Sequence, residues 1–199
     1  MTGNATCFAD VAGTLVDCGA TVRLKIAAAR TYYYRTDGSN TLCTGLADAA
    51  AAAAPACAFL TIQKAVDVAE GLDFNGFTVT IAHGVESGVK TFTECVAVDT
   101  LTGGGSLAFT GNSTDTVWST TGCDALLLRN TISVVTVGNF RLQSAGAVSG
   151  TINVVNNSIL GVSTGTIFGA SGNADIYIHD SAAEAKILSA NYIKDGNSN

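Results

Sequence analysis

The chain has 199 residues, 47% of them hydrophobic and only 13% charged, with a mean hydropathy of +0.34. Its apolar residues are scattered: the best candidate span, Leu46 to Leu60, is mostly alanine, contains Asp48 and Pro55, and falls short of the roughly 20 residues a membrane helix needs, so no membrane insertion is expected. The net charge is −6, and the ten Lys and Arg form no cluster, which excludes the basic stripe that tracks phosphates and, with it, nucleic acid as a partner.

Residues 1–30 alternate small and apolar side chains without a clear period, and a strand is predicted around Thr21 to Ile26. The segment is too small for a core of its own and reads as an N-terminal arm. Tyr32 to Arg35 predict a strand that the Asp37-Gly38 turn ends. Asp37, Ser39 and Asn40 are oxygen donors, but the spacing and bidentate glutamate of a calcium loop are missing, and a turn is the better reading. Residues 41–58 hold six consecutive alanines, Ala49 to Ala54, before Pro55 stops any helix. Residues 59–72 are the one convincing helix: Ile62, Ala65, Val66, Ala69 and Leu72 share a face, and Gly71 fits its C-terminal end.

From residue 73 the pattern changes to short strands, predicted at 77–84, 92–100, 106–112, 125–130, 132–144, 151–163, 174–182 and 186–196. Polar corners at Gly138-Asn139, Asn156-Asn157 and Asp180-Ser181 recur at about 20 residues, the mark of stacked coils. Asn and Gly tolerate the left-handed backbone that such corners need. The expected fold class is all-β, a right-handed parallel β-helix of about six coils capped by one short N-terminal helix. Its parts are an arm (1–30), an entry strand with loop and capping helix (31–72) and the coils (73–199).

Six cysteines, Cys7, Cys18, Cys43, Cys57, Cys95 and Cys123, form no C-x-x-C pair and lie near neither His83 nor His179 in metal-ligand spacing, so no metal is expected. Cys43 and Cys57 bracket the alanine-rich excursion and predict a stapled surface loop. Cys7 with Cys18 follows only from proximity. Cys95 and Cys123 either meet across stacked coils or stay buried as thiols. An even count implies an oxidising place of work, yet the first residues have neither the basic start nor the apolar run of a signal peptide.

The stretch from Thr31 to Ala69 resembles the entry segment of right-handed parallel β-helix proteins of phages and prophages. There an aromatic strand leads to a DGSD-like turn, a short loop and an F-x-TIQ-x-A helix, which closes the N-terminal end of the solenoid. Tyr32 to Tyr34, Asp37-Gly38 and Phe59 through Ala65 follow that order. The similarity runs over roughly residues 31–145. It implies a fibre or spike architecture shared by structural and glycan-cleaving proteins, so it does not by itself choose a biochemistry.

Catalysis on such a scaffold needs paired carboxylates about 5–9.5 Å apart. The acids of the coil region, Glu86, Glu94, Asp99, Asp115, Asp124, Asp175, Asp180 and Glu184, include no D-x-D or D-D pair. His179-Asp180 is the most enzyme-like neighbourhood, but adjacent strand residues point apart. His83 reads as a strand-end residue, Gly103 to Gly105 as a corner, and Trp118 as a packed side chain rather than a sugar platform.

No catalytic, cofactor-binding or metal-binding residue is therefore assigned, and no cofactor is expected. The expected function is that of a structural virion protein, a phage tail fibre or a head or neck spike, assembled in the host cytoplasm and working outside the cell. It is expected to be a homotrimer attached to other virion proteins through residues 1–30, supporting host recognition with a host surface glycan as a further partner. A solenoid end left open near residue 186 would be closed by a further domain or partner beyond Asn199. The alternatives are a glycan-degrading tailspike-type enzyme and a bacterial surface adhesin.

Overall fold

The computed structural model describes residues 23–112, 115–131, 133–145, 150–169, 174–179, 183–187 and 193–194. It is an all-β parallel β-helix with a single α-helix among these residues. Three strands make a coil. The first coil consists of β4 (Thr78–His83), β5 (Lys90–Phe92) and β6 (Val96–Val98). The second is β7 (Ser106–Thr110), β8 (Thr116–Thr121) and β9 (Leu126–Arg129). The third is β10 (Val134–Gly138), β11 (Arg141–Ala145) and β12 (Gly150–Val155). The fourth is β13 (Ile159–Val162), β14 (Ile167–Phe168) and β15 (Ala174–His179), and β16 (Glu184–Ile187) and β17 (Ile193–Lys194) begin a fifth.

Stacking places like strands together in three parallel sheets, here called the first, second and third in the order the chain visits them. Val79 stands beside Leu107 and Leu107 beside Val135, a coil of 28 residues. Val135 stands beside Leu160 and Leu160 beside Ala185, a coil of 25. The described residues thus hold four complete coils, not six, and the period is longer than the spacing of the polar corners suggested. The reason is geometric. Gly138-Asn139 turns from the first sheet to the second, whereas Asn156-Asn157 turns from the third back to the first, so that spacing compares unlike corners. The left-handed angles expected there are present at Asn130, Asn139, Asn156 and Asn157. Gly103, Gly104 and Gly105 all take positive φ in the equivalent corner of the first coil, and a Cβ on Gly105 would strike the Phe77 carbonyl.

Alternation sends one row of each strand inward. In the third sheet Val98, Leu128 and Val154 are in register and fully buried. In the second, Phe92, Trp118, Leu142 and Phe168 stack as a column. Trp118 packs between Phe109 and Phe140, at ring-centroid distances of 6.0 and 5.8 Å, and its Nε1–H donates to the Glu94 carbonyl at 2.8 Å. The strand carrying Trp118 was not predicted from sequence because its inward positions include Thr116 and Thr120, so it shows no apolar alternation. Three predicted strands, 92–100, 132–144 and 151–163, are each broken by a corner, as at Glu94 between β5 and β6. No helix among the described residues is long and apolar enough to cross a membrane.

The N-terminal end is sealed by the entry segment. Strand β2 (Arg30–Tyr34) extends the first sheet, pairing Thr31 with Thr80. Beyond it, Phe59 makes a single parallel bridge to Tyr34, with its N–H to the Tyr33 carbonyl and its carbonyl taking the Arg35 N–H, both at 2.9 Å. The helix α1 (Ile62–Glu70) replaces a strand of the third sheet, shorter than predicted because Thr61 caps it by accepting the Lys64 N–H. The last part of residues 1–30 belongs to this end. β1 (Leu24–Lys25) pairs with β3 (Leu72–Asp73), Ile26 is buried, and Arg23 Nη1 donates to the Thr100 carbonyl at 3.0 Å. Residues 1–22, with Cys7 and Cys18, lie outside the described residues.

Candidate functional site

A buried polar cluster forms where the sealed end meets the first two coils. The period of two that buries Val79 and Ile81 also buries His83, the last residue of β4. Gly84 follows because the chain passes directly under the loop above it; a Cβ there would meet the Asp48 carboxylate and the Arg35 side chain. The next loop then returns Glu86 to the imidazole, with His83 Nε2 2.9 Å from Glu86 Oε2. Glu86 also accepts the Thr36 N–H at 3.0 Å and the Thr36 hydroxyl at 2.6 Å, and Lys90 Nζ lies 3.7 Å from its other oxygen.

A carboxylate can only accept, so Nε2 carries the hydrogen, and in the neutral ring Nδ1 is the acceptor. Its donor is the Thr116 hydroxyl at 2.8 Å, whose oxygen takes the Asn112 N–H at 2.6 Å. Tyr34 stacks on the imidazole and Phe92 meets it edge-on. Burial lowers the pKa of His83 from its ordinary 6.5, against the opposing hydrogen bond and charge of Glu86. For Glu86, burial raises the pKa, but the bonds from Thr36 and His83 outweigh it and hold the carboxyl below the usual range. Beside the cluster Arg35 grips both Asp37 Oδ1 at 2.7 Å and Asp48 Oδ1 at 2.8 Å, and also donates to the Val85 carbonyl at 2.9 Å. Its bonds hold Asp37 below the usual carboxylate range.

Hydroxyl, imidazole and carboxylate in sequence is the arrangement of a proton relay. Here the relay has no open face. Thr116 is fully buried, and the His83 and Glu86 side chains are 2% and 5% exposed. The cluster fastens three segments to one another: the cap through Thr36, the first coil through His83 and Glu86, and the second through Thr116. Thr36, Arg35 and Thr116 carried no sequence signal; only the coil period brings Thr116, 33 residues away, to His83.

The remaining candidates are dispersed. Glu94 caps the helix, its oxygens accepting the N–H groups of Ile62 at 2.8 Å and Gln63 at 2.9 Å, while burial raises its pKa. Asp99 accepts from Arg129, whose Nη2 lies 2.8 Å from Oδ2, and its own N–H donates to Glu70 at 2.6 Å. Burial raises the Glu70 pKa. Asp124 accepts the Gly150 N–H and the Asn153 side-chain amide. Asp115 immediately precedes β8, Asp175 lies on β15 and Glu184 begins β16, and His179 ends β15, edge-on to Tyr177. Asp180 lies outside the described residues.

Asn40 and Ser39 serve the turn. Asn40 Oδ1 accepts the Leu60 and Thr61 N–H groups, and Ser39 Oγ the Leu42 N–H. Among the described residues no cluster of His, Cys, Asp and Glu is suited to a metal ion. Cys43 and Cys57 form a disulfide around the alanine-rich loop, with Cα atoms 4.9 Å apart. Cys95 and Cys123 form another, across the first two coils, with Cα atoms 6.0 Å apart. Comparison with protein-family models, curated proteins and solved structures finds no match.

Proposed function

We propose that the chain is a structural virion protein, a β-helical stalk or base of a phage fibre or spike, assembled as a homotrimer and held to the particle through residues 1–30. The observation that carries this reading is the order of parts at the sealed end of a parallel β-helix. The tyrosine strand, the Asp37-Gly38 turn, the loop and the capping helix come first and the coils follow, as in the phage and prophage proteins that the entry segment resembles.

Two further features support it. The loops at the sealed end expose Leu42, Leu46, Leu60, Val85 and Val89, apolar contacts of the kind a protein partner covers. Farther along the solenoid Ile178 continues the inward row of Val98, Leu128 and Val154 but is 46% exposed, a further apolar side chain of the kind a partner covers.

Light scattering on the purified chain should give three times the monomer mass. Particles labelled with an antibody to this chain should show it on a projecting fibre or spike. A monomer that persists at high concentration would remove the trimer. Release of oligosaccharides from capsule, lipopolysaccharide or pectin, abolished by changing one carboxylate, would replace the structural reading with the tailspike-type enzyme.

A further inference from the structure

We propose that the junction of Thr36, Glu86, His83 and Thr116 is an acid-sensitive latch, which holds the sealed end closed while His83 is neutral and releases it when His83 takes up a proton.

The closed arrangement uses both ring nitrogens: Nε2–H donates to Glu86 and Nδ1 accepts from Thr116. Protonation places a hydrogen on Nδ1, which then faces the hydrogen of the Thr116 hydroxyl. That hydroxyl must turn away. Its oxygen already accepts from Asn112, and the residue is fully buried, so the displaced O–H points into a packed interior.

The surroundings of the imidazole do not compensate. Tyr34 from β2 and Phe92 from β5 give its faces apolar cover. Glu86 and, more weakly, Asp48 favour the imidazolium, while Arg35 disfavours it. Two of these acids are already engaged by cations: Lys90 approaches Glu86, and Arg35 pairs with Asp48 and Asp37. What opens is defined by the same bonds. Glu86 holds Thr36, and the Arg35–Asp48 pair holds both the carbonyl and the N–H of Val85. Losing the junction frees the loop after β4 and the segment after β2 together.

The sign follows from linkage. With the closed-state pKa of His83 below 6.5, the opened state binds the proton first. The closed state is therefore fully favoured above about pH 6.5 and loses ground as the pH falls below it. Glu86, held below the usual 4.5, adds its own loss only at lower pH. Uptake of one proton on opening raises the opening constant by at most tenfold for each pH unit, between the open-state and closed-state pKa values of His83.

Amide hydrogen exchange of the full chain, corrected for intrinsic pH dependence, reads this directly. The amides of Tyr33, Arg35, Gly45 and Val85 should lose protection progressively as the pH falls below 6.5, by at most tenfold per pH unit, while those of Leu107 and Val135 do not. His83→Gln should flatten that slope, because an amide can donate to Glu86 and accept from Thr116 without titrating. An unchanged slope in the variant, or no slope in the natural chain, overturns the latch. If the variant does not fold, nitrogen NMR of the natural protein decides: a neutral His83 ring persisting below pH 6.5 supports the latch, and an imidazolium already formed at that pH overturns it.

Discussion

Tyr34 places a phenol at the centre of the sealed end. Its ring is wholly buried, edge-on to Phe92 at 4.9 Å, and its hydroxyl has no hydrogen-bond partner among the described residues. Burial raises the pKa of that hydroxyl well above its ordinary 10.0, so it stays neutral. An unsatisfied buried hydroxyl costs on the order of 1 kcal/mol. Tyr34→Phe is therefore expected to raise stability by about that amount, read as a higher urea midpoint with unchanged slope. Single residues were unevenly legible in the sequence. Cys43 and Cys57 declared themselves by bracketing a segment with no core. Cys95 and Cys123 did not, since their pairing depends on the 28 residues of one coil. His83 was visible only as a strand end; its partner Thr116 comes from the next coil and looks, in sequence, like any polar strand residue.

Among the elements, α1 solves the problem of an open sheet edge. The edge strand β6 offers unpaired backbone groups at Ala97. The Gln63 side chain answers both, accepting the Ala97 N–H at 2.9 Å and donating to its carbonyl at 3.2 Å, so one amide stands in for a missing strand. Glu70 does the same for the Asp99 N–H two turns of helix later. Gln63→Ala should cost roughly 1–3 kcal/mol, the penalty of leaving partly buried backbone groups unpaired. Hydrogen exchange at Ala97 should accelerate more than at Leu127, its neighbour one coil inward. The helix was readable because its apolar face repeats over nine residues. β14, with two residues, is too short for any periodicity, and β8 hides behind inward threonines.

At the scale of the molecule, stability is close to a sum over neighbouring coils, so links between coils matter more than links within them. The Cys95–Cys123 bridge is such a link. By loop-closure entropy its loop contributes roughly 3–4 kcal/mol. Changing both cysteines to alanine should lower the unfolding midpoint by that equivalent and expose the first coil to protease before the third. The number of coils was misjudged from sequence because corners of different kinds share the same residues, asparagine and glycine, and only the strand register separates them.

That register has an evolutionary consequence. Every strand of the third coil lies between like strands above and below, in step along its length. Loss or duplication of the 25 residues from Val134 to Ser158 would therefore leave the neighbouring faces matched. A gain or loss of one residue within a strand would instead turn every following side chain of that strand inside out. Molecules of this kind change length in whole steps of about 4.8 Å, one strand spacing at a time, so a lineage carrying this chain can tune its reach like the rungs of a ladder while keeping its ends intact.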